Sequence, residues 1–267
     1  MFIERVPPIQ LDNEDSINRI SDYFHGKEAD PRLTPIVYRL LGMIFRPRIA
    51  FDLGTQEQIR EHFDIDGQLV VAMKHVKAID PTVMAGAVSR KTLIPLREGA
   101  DIMAKPVLFE NPALGLLISN LGAYIGFRTQ DFKNPKFGAP NDELEVKGLR
   151  DLARKRTIAN GVARLNLGRH QGIFFEGTRS GQDLVTKDSV KSGIVEMIRQ
   201  VDNPDNIGIV CAAINYERGI FRPIVAFSQL IQPPHNPDQL PELIAEQTQQ
   251  CVNVAGWMAN KPRPYKI

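Results

Sequence analysis

LVVAMKHVKAIDP, residues 69–81, decides how the rest of the chain is read. Its opening LVVAM is a short continuous apolar run, the pattern of a strand covered on both faces. Asp80-Pro81 is a good helix start, because proline is tolerated at the first helical position. Strand, turn and helix therefore follow one another, and His75 falls just beyond the strand end. On one unbroken helix, His75 and Asp80 would stand about 140° apart, so only an intervening turn lets their side chains meet. In open α/β sheets, ligand sites collect beyond the carboxyl ends of strands. There Asp80 can fold back, accept a hydrogen bond from the imidazole, fix its tautomer and support the imidazolium formed when His75 takes a proton. A general base near neutrality is the task histidine performs best. The competing reading is a surface or satisfied core histidine, with Asp80 a plain helix cap. The pair alone leaves both open.

Working outward, strands are predicted at residues 123–127, 172–175, 207–214 and 221–227, and helices at 81–90, 142–167, 189–201 and 239–258. Residues 93–94 read as a strand or turn, 98–119 as helical pieces broken by Pro106 and Pro112, and 132–141 as a loop. Residues 1–33 read as an extended arm or a short capping helix. The alternation argues an α/β fold: a mostly parallel twisted sheet flanked by helices, with an N-terminal helical segment. We divide the chain into an arm with a contact helix, residues 1–60, and an α/β domain, residues 61–267. That contact helix is TPIVYRLLGMIFRPR, residues 34–48, whose only charges are Arg39, Arg46 and Arg48. Thr34 can cap it, with Pro35 in its first turn. Either it packs on the domain, or it lies in a membrane interface with apolar residues in lipid and arginines near phosphates.

The 267 residues suffice to bury a sizeable core, and a net charge of +2 names no partner. Nucleic-acid binding has no support beyond scattered lysines and arginines. Cys211 and Cys251 fit buried thiols. His25, His62, His170 and His235 lack metal-ligand spacing, so no metal and no cofactor are expected. His170 reads as structural or solvent-facing. The N-terminus has acids and prolines where a secretory signal needs an apolar core, and the best spanning candidate, residues 108–127, is interrupted by Glu110, Asn111, Pro112 and Asn120. The expected place is the cytoplasm, peripheral at the inner membrane surface.

GIFFEGTRSG, residues 172–181, runs strand, acid, glycine, hydroxyl, arginine. Glu176 leaves the sheet edge, Gly177 permits a sharp turn or close substrate approach, and Thr178 can bind a ligand or cap the turn. Arg179 offers a planar donor fork suited to phosphate or carboxylate. The plainer reading is a turn with a surface salt bridge. GAYIGFR, residues 122–128, places Arg128 past another strand, so two arginines can clamp one phosphate, with Lys105 as a third candidate. Nucleotide-loop patterns and the G-x-S-x-G nucleophile setting are absent. A base at His75 must then activate a hydroxyl or water of the substrate.

Together these segments resemble the glycerolipid acyltransferases, the lysophosphatidate and glycerol-phosphate acyltransferases. His75-x4-Asp80 is similar to that family's first motif. The stretch from Gly122 to Arg128 is similar to its second, with KPVLFENPALG before it also suitable. FEGTRS, from Phe175, is similar to the third, where Phe175 replaces the usual proline. IVCAAI, residues 209–214, stands for the fourth, with Cys211 in a proline's place. The resemblance covers roughly residues 70–214 in family order and implies a role in phospholipid biosynthesis. It implies acyl transfer from acyl-CoA or acyl carrier protein to a hydroxyl of a phosphate-bearing glycerol or lysolipid acceptor. His75 would be the base and Asp80 its orienter. Arg128 and Arg179 would hold the acceptor phosphate, with Lys105, Gly122, Glu176, Gly177 and Thr178 shaping that pocket. A thioesterase or lipid hydrolase using the same dyad, and a non-catalytic lipid-binding protein, are the alternatives. Lys74 and Lys77 replace the family's usual Asn and Ser. If they point inward, they would disfavour the imidazolium and attract donor phosphates.

Overall fold

The structure is a computed structural model, and it describes residues 6–89, 93, 95–96, 100–176 and 184–260. One seven-stranded sheet organises it, in the order β1-β7-β6-β2-β5-β3-β4. The strands are β1 (Arg48–Phe51), β2 (Gln68–Met73), β3 (Ala100–Ala104), β4 (Ala123–Ile125), β5 (His170–Phe174), β6 (Ile207–Asn215) and β7 (Ile224–Ile231). β2 to β6 are mutually parallel, whereas β7 runs against β6 and carries β1 parallel to itself. The carboxyl ends of five strands therefore share one edge with the starts of β1 and β7.

Alternation along the strands fixes the two layers. Val70 and Ala72 of β2, with Ile209, Cys211 and Ala213 of β6, face one core. Leu69, Val71 and Met73, with Val210, Ala212 and Ile214, face the other. Among the described residues there are eight α-helices. α6 (Glu143–Asn166), α7 (Ser192–Gln200) and α8 (Leu240–Asn260) cover the first face, while α2 (Leu33–Phe45), α3 (Thr55–Asp64) and α4 (Asp80–Ala87) cover the second. α1 (Glu14–Phe24) and α5 (Pro112–Asn120) flank β4 at one end of the sheet. Burial on both faces is why β2 and β6 read as unbroken apolar runs.

Four elements, β3, α3, β1 and β7, and the start of α2 depart from the sequence reading. Residues 98–119 contain β3 as well as helical turns. Its second residue, Asp101, is an acid in a strand, fully buried and bonded by Arg169 through Nε at 2.5 Å and Nη2 at 2.8 Å. α3 and β1 were not anticipated: α3 buries only Thr55, Ile59 and His62, and β1 has four residues. β7 starts at Ile224 rather than at residue 221. Thr34 does not cap α2. Its N-cap is Arg32, without a side-chain cap bond; Asp30, just ahead, accepts the N–H groups of Arg32 and Leu33 at 2.8 and 3.1 Å, and these bonds hold its carboxyl below the usual range. The division after residue 60 falls inside α3, and β1, before it, is an edge strand of the common sheet.

Candidate active site

The ladder between β2 and β6 runs one residue past β2, where the Lys74 N–H donates to the Ala212 carbonyl at 3.0 Å. The chain then leaves the sheet, turns, and enters α4 at Asp80. That turn brings His75 Nδ1 to 2.9 Å from Asp80 Oδ2. The same oxygen accepts the N–H groups of Val76 and Lys77 at 2.6 and 2.8 Å. Asp80 Oδ1 accepts the hydroxyl of Tyr216. Asp80 is wholly buried, and four donors converge on its carboxylate. A carboxylate only accepts, so the shared proton sits on Nδ1 and the Nε2 lone pair of His75 is left for a reacting group. The imidazole is 16% exposed, enough for a substrate to reach it. Its ring lies against Phe174, with centroids 4.5 Å apart.

β5 supplies the other wall. Met73 pairs with Phe174, so two residues further on His75 comes level with Glu176. Glu176 Oε2 accepts the His75 backbone N–H at 3.3 Å, and Oε1 meets the ammonium of Lys74 at 3.0 Å. Both side chains of that ion pair are buried. Glu176 therefore fixes the backbone under the imidazole.

The remaining residues singled out from the sequence follow the strand order. Lys105 comes straight after β3 and Arg128 three residues after β4, so both stand on the dyad's edge. At about 4.8 Å per strand, these positions lie roughly 10 and 14 Å along the edge from His75. The Arg128 guanidinium is turned onto Asp131, with Nη2 2.6 Å from Oδ1 and Nε 3.2 Å from Oδ2. Gly122 lies elsewhere. It precedes β4 and so sits at the opposite edge, with φ +88°, where a Cβ would stand 2.8 Å from the Ala100 carbonyl oxygen. Its position requires glycine for the turn and takes it out of the substrate-pocket set. Gly177, Thr178 and Arg179 lie outside the described residues. A cavity of ≈ 30 Å³ lies beneath the end of β2, lined by Met73, Met84, Tyr38 and Gln171 among others.

A family model described as Acyltransferase matches residues 51–215. The chain belongs to the acyltransferase family. No curated protein matches it. The match ends one residue before Tyr216 and starts after α2, so both are features of this acyltransferase outside the matched region.

The structure accounts for three departures from the motif pattern. Lys74 does not bring free positive charge to the base, because Glu176 meets it. Lys77 sets its ammonium over the ring of Tyr216, 4.7 Å from the centroid. Cys211 stands where the register between β6 and β7 slips, between Val210 and Ala212. Its N–H donates to the Ser228 hydroxyl at 2.9 Å instead of a ladder carbonyl. Because that N–H has no role in the ladder between β6 and β7, a residue without one also fits such a place. Burial pushes the Cys211 thiol up to about 12, so it is not a nucleophile near neutrality.

The sequence reading missed Tyr216. Burial first, then its bond to Asp80, raises its hydroxyl above the usual phenol range, so it stays a donor at every working pH. The available signal was its place just past β6, the strand beside β2. Of the two readings left open for His170, structural or solvent-facing, it takes the first: it is buried, its Nδ1 accepts the Leu69 N–H at 3.0 Å, and burial lowers it to about 4. Among the described residues, no group of His, Cys, Asp and Glu side chains is arranged to hold a metal ion.

Proposed function

We propose that this acyltransferase moves a fatty acyl group from a thioester, acyl-CoA or acyl carrier protein, to a hydroxyl of a glycerol-phosphate or lysophospholipid acceptor, a step of phospholipid biosynthesis. The observation that carries the reading is the four-donor clamp on Asp80, which directs one imidazole nitrogen inward and leaves the other free. His75 Nε2 takes the acceptor's hydroxyl proton while the oxygen attacks the thioester carbonyl. The C–S bond of the resulting tetrahedral adduct breaks, and the imidazolium returns the proton to the departing thiolate. Asp80 stabilises the imidazolium between these steps. Tyr216 and Glu176 are positioning residues, acting on Asp80 and on the His75 backbone. Arg179 and Lys105 bind the acceptor phosphate. Arg128 joins them by exchanging Asp131 for phosphate, which presents the same acceptor geometry to its fork. Gly177 and Thr178 shape that side of the pocket. Holding both substrates together supplies much of the rate.

The reading includes a peripheral seat on the cytoplasmic face of the inner membrane, with residues 34–48 against lipid. It needs no cofactor. The test offers purified protein a panel of acyl-CoA and acyl carrier thioesters with glycerol-3-phosphate, lysophosphatidate and other lysolipids, and identifies products by mass. An ester product that falls by about 10²–10⁴ in His75→Ala supports the reading. Free fatty acid formed regardless of acceptor would make the protein a hydrolase. Unchanged product in His75→Ala would remove the base assignment.

A further inference from the structure

α2 buries Thr34, Tyr38 and Phe45 on one side. On the other it exposes Ile36, Leu40, Met43 and Ile44, by 60, 48, 55 and 53%. At about 100° per residue, those four fall within an arc of about 100°. The helix is clamped in this orientation. A Cβ on Gly42 would stand 3.1 Å from the Gly86 carbonyl oxygen, and one on Gly86 3.1 Å from that of Leu41, so α2 and α4 touch backbone to backbone. The stripe therefore faces outward as a fixed feature of the fold.

The connection from β6 to β7 extends this surface. Ile220 and Phe221 are exposed, and the Phe221 ring stacks on Phe45 at the end of α2, with centroids 6.3 Å apart. Arg48 ties the connection to β1 through its N–H, 2.9 Å from the Pro223 carbonyl oxygen. The connection begins at Tyr216, which binds Asp80. Since β1 and β7 start where β2 and β5 end, the apolar surface reaches the sheet edge that carries His75. Arg39, Arg46, Arg48 and Arg222 around it are exposed and form no ion pair among the described residues. Glu217 is the one acid in residues 217–223. No described helix is long and apolar enough to cross a membrane.

We propose that the outer face of α2 and the Ile220-Phe221 tip form one docking surface for a bilayer with anionic headgroups, which seats the His75 edge against the lipid. A fixed apolar stripe ringed by exposed arginines, none in an ion pair among the described residues and the Arg46 side chain bonded only through Nε to the Met43 carbonyl, matches an anionic interface in both hydrophobicity and charge. The purpose of the seat rests on the acyl-transfer reading, but its measurement does not. Purified protein is sedimented with vesicles of phosphatidylcholine alone and of phosphatidylcholine mixed with phosphatidylglycerol. The mixed vesicles are expected to bind at least about tenfold more tightly, with the difference shrinking as salt is raised. Ile44→Ser/Phe221→Ser, and independently Met43→Ser/Phe221→Ser, are expected to weaken binding about tenfold or more. Arg39→Gln/Arg46→Gln removes part of the preference for phosphatidylglycerol. Each variant keeps the wild-type unfolding midpoint within a few degrees, and its transfer from a short-chain thioester to a soluble acceptor is unchanged. Wild-type protein that binds vesicles but transfers nothing would sink the acyl-transfer reading and leave the docking surface standing. Equal sedimentation of wild type and both apolar variants, or equal binding to the two vesicle types, overturns the docking proposal. So does a lipid-free dimer that Ile44→Ser/Phe221→Ser dissociates, which would make the face an interface between copies.

Discussion

Replacing Lys74 by methionine tests whether the buried ion pair under the dyad is structural, catalytic or both. The side chains of Lys74 and Glu176 are 3% and 4% exposed and meet at 3.0 Å. Lys74→Met keeps the bulk but takes away the cation facing a buried carboxylate. Breaking one side of such a pair costs about 3–5 kcal/mol. Against a total stability of about 5–15 kcal/mol that is a large share. The thermal midpoint should fall by roughly 10 °C. Replacing both groups with apolar residues of similar volume is often close to neutral. Lys74→Met/Glu176→Leu should therefore lie within about 2 kcal/mol of wild type, far from the sum of the two single changes. Activity should separate from stability, because Glu176 also accepts the His75 N–H at 3.3 Å. The Leu double variant recovers its fold and stays slow. Lys74→Met/Glu176→Gln, which keeps an acceptor for that N–H, recovers more of kcat. The measurements are guanidinium unfolding followed by circular dichroism and kcat for acyl transfer on the same samples. A Lys74→Met cost under about 1 kcal/mol, or additive single costs, would refute the pair's structural role. Equal kcat in the Leu and Gln double variants would refute the tether.

Four further outcomes are expected. Asp80→Asn should lower kcat by about 10³–10⁴ with a KM near wild type, because its amide can donate to Nδ1 and invert the tautomer; steady-state kinetics check this, and a change confined to KM would contradict it. Tyr216→Phe removes one donor to a charged carboxylate, worth about 1.5–3 kcal/mol, and should slow kcat about 10- to 100-fold; undiminished kcat would leave Tyr216 a packing residue. His170 takes up its proton near 6.5 when unfolded but only at about 4 when folded, since burial, His62 and Arg169 disfavour the charge. Stability from this group is therefore full above pH about 6.5 and is lost as pH falls towards 4, by roughly 3 kcal/mol, and unfolding of His170→Gln should lack that part of the acid dependence. Cys211→Pro should fold, at a cost of about 1–2 kcal/mol for the lost bond to Ser228; failure of the soluble protein to accumulate would contradict the account of the slipped register.

The sequence makes legible what neighbouring residues determine. The turn between His75 and Asp80 is read from a strand end followed by Asp-Pro, and the unbroken apolar runs of β2 and β6 come from burial on both faces. Where an element is polar because distant residues neutralise it, the pattern fails. Asp101 hides β3, since its partners Arg164 and Arg169 arrive from more than sixty positions further along the chain. α3 shows too few apolar positions because it rests on the sheet by little more than Ile59 and His62.

The same physics explains where the site was and was not foreseen. A lysine beside a histidine reads as a charge pressing on the base. Its effect depends on its own partner, and Lys74 finds Glu176 only because Met73 pairs with Phe174. That register carries Glu176 from a presumed substrate pocket to a support under His75. Arg128, read from sequence as a free fork, meets the carboxylate of Asp131 three residues on, so a phosphate must displace that partner before the fork can hold it. Asp80 is tied by groups from its own turn and by Tyr216 at the end of β6, a strand it reaches only through the sheet order. Residue type and spacing therefore point to the His75–Asp80 pair that we propose as proton carrier, while strand register decides which charges around it are already spoken for.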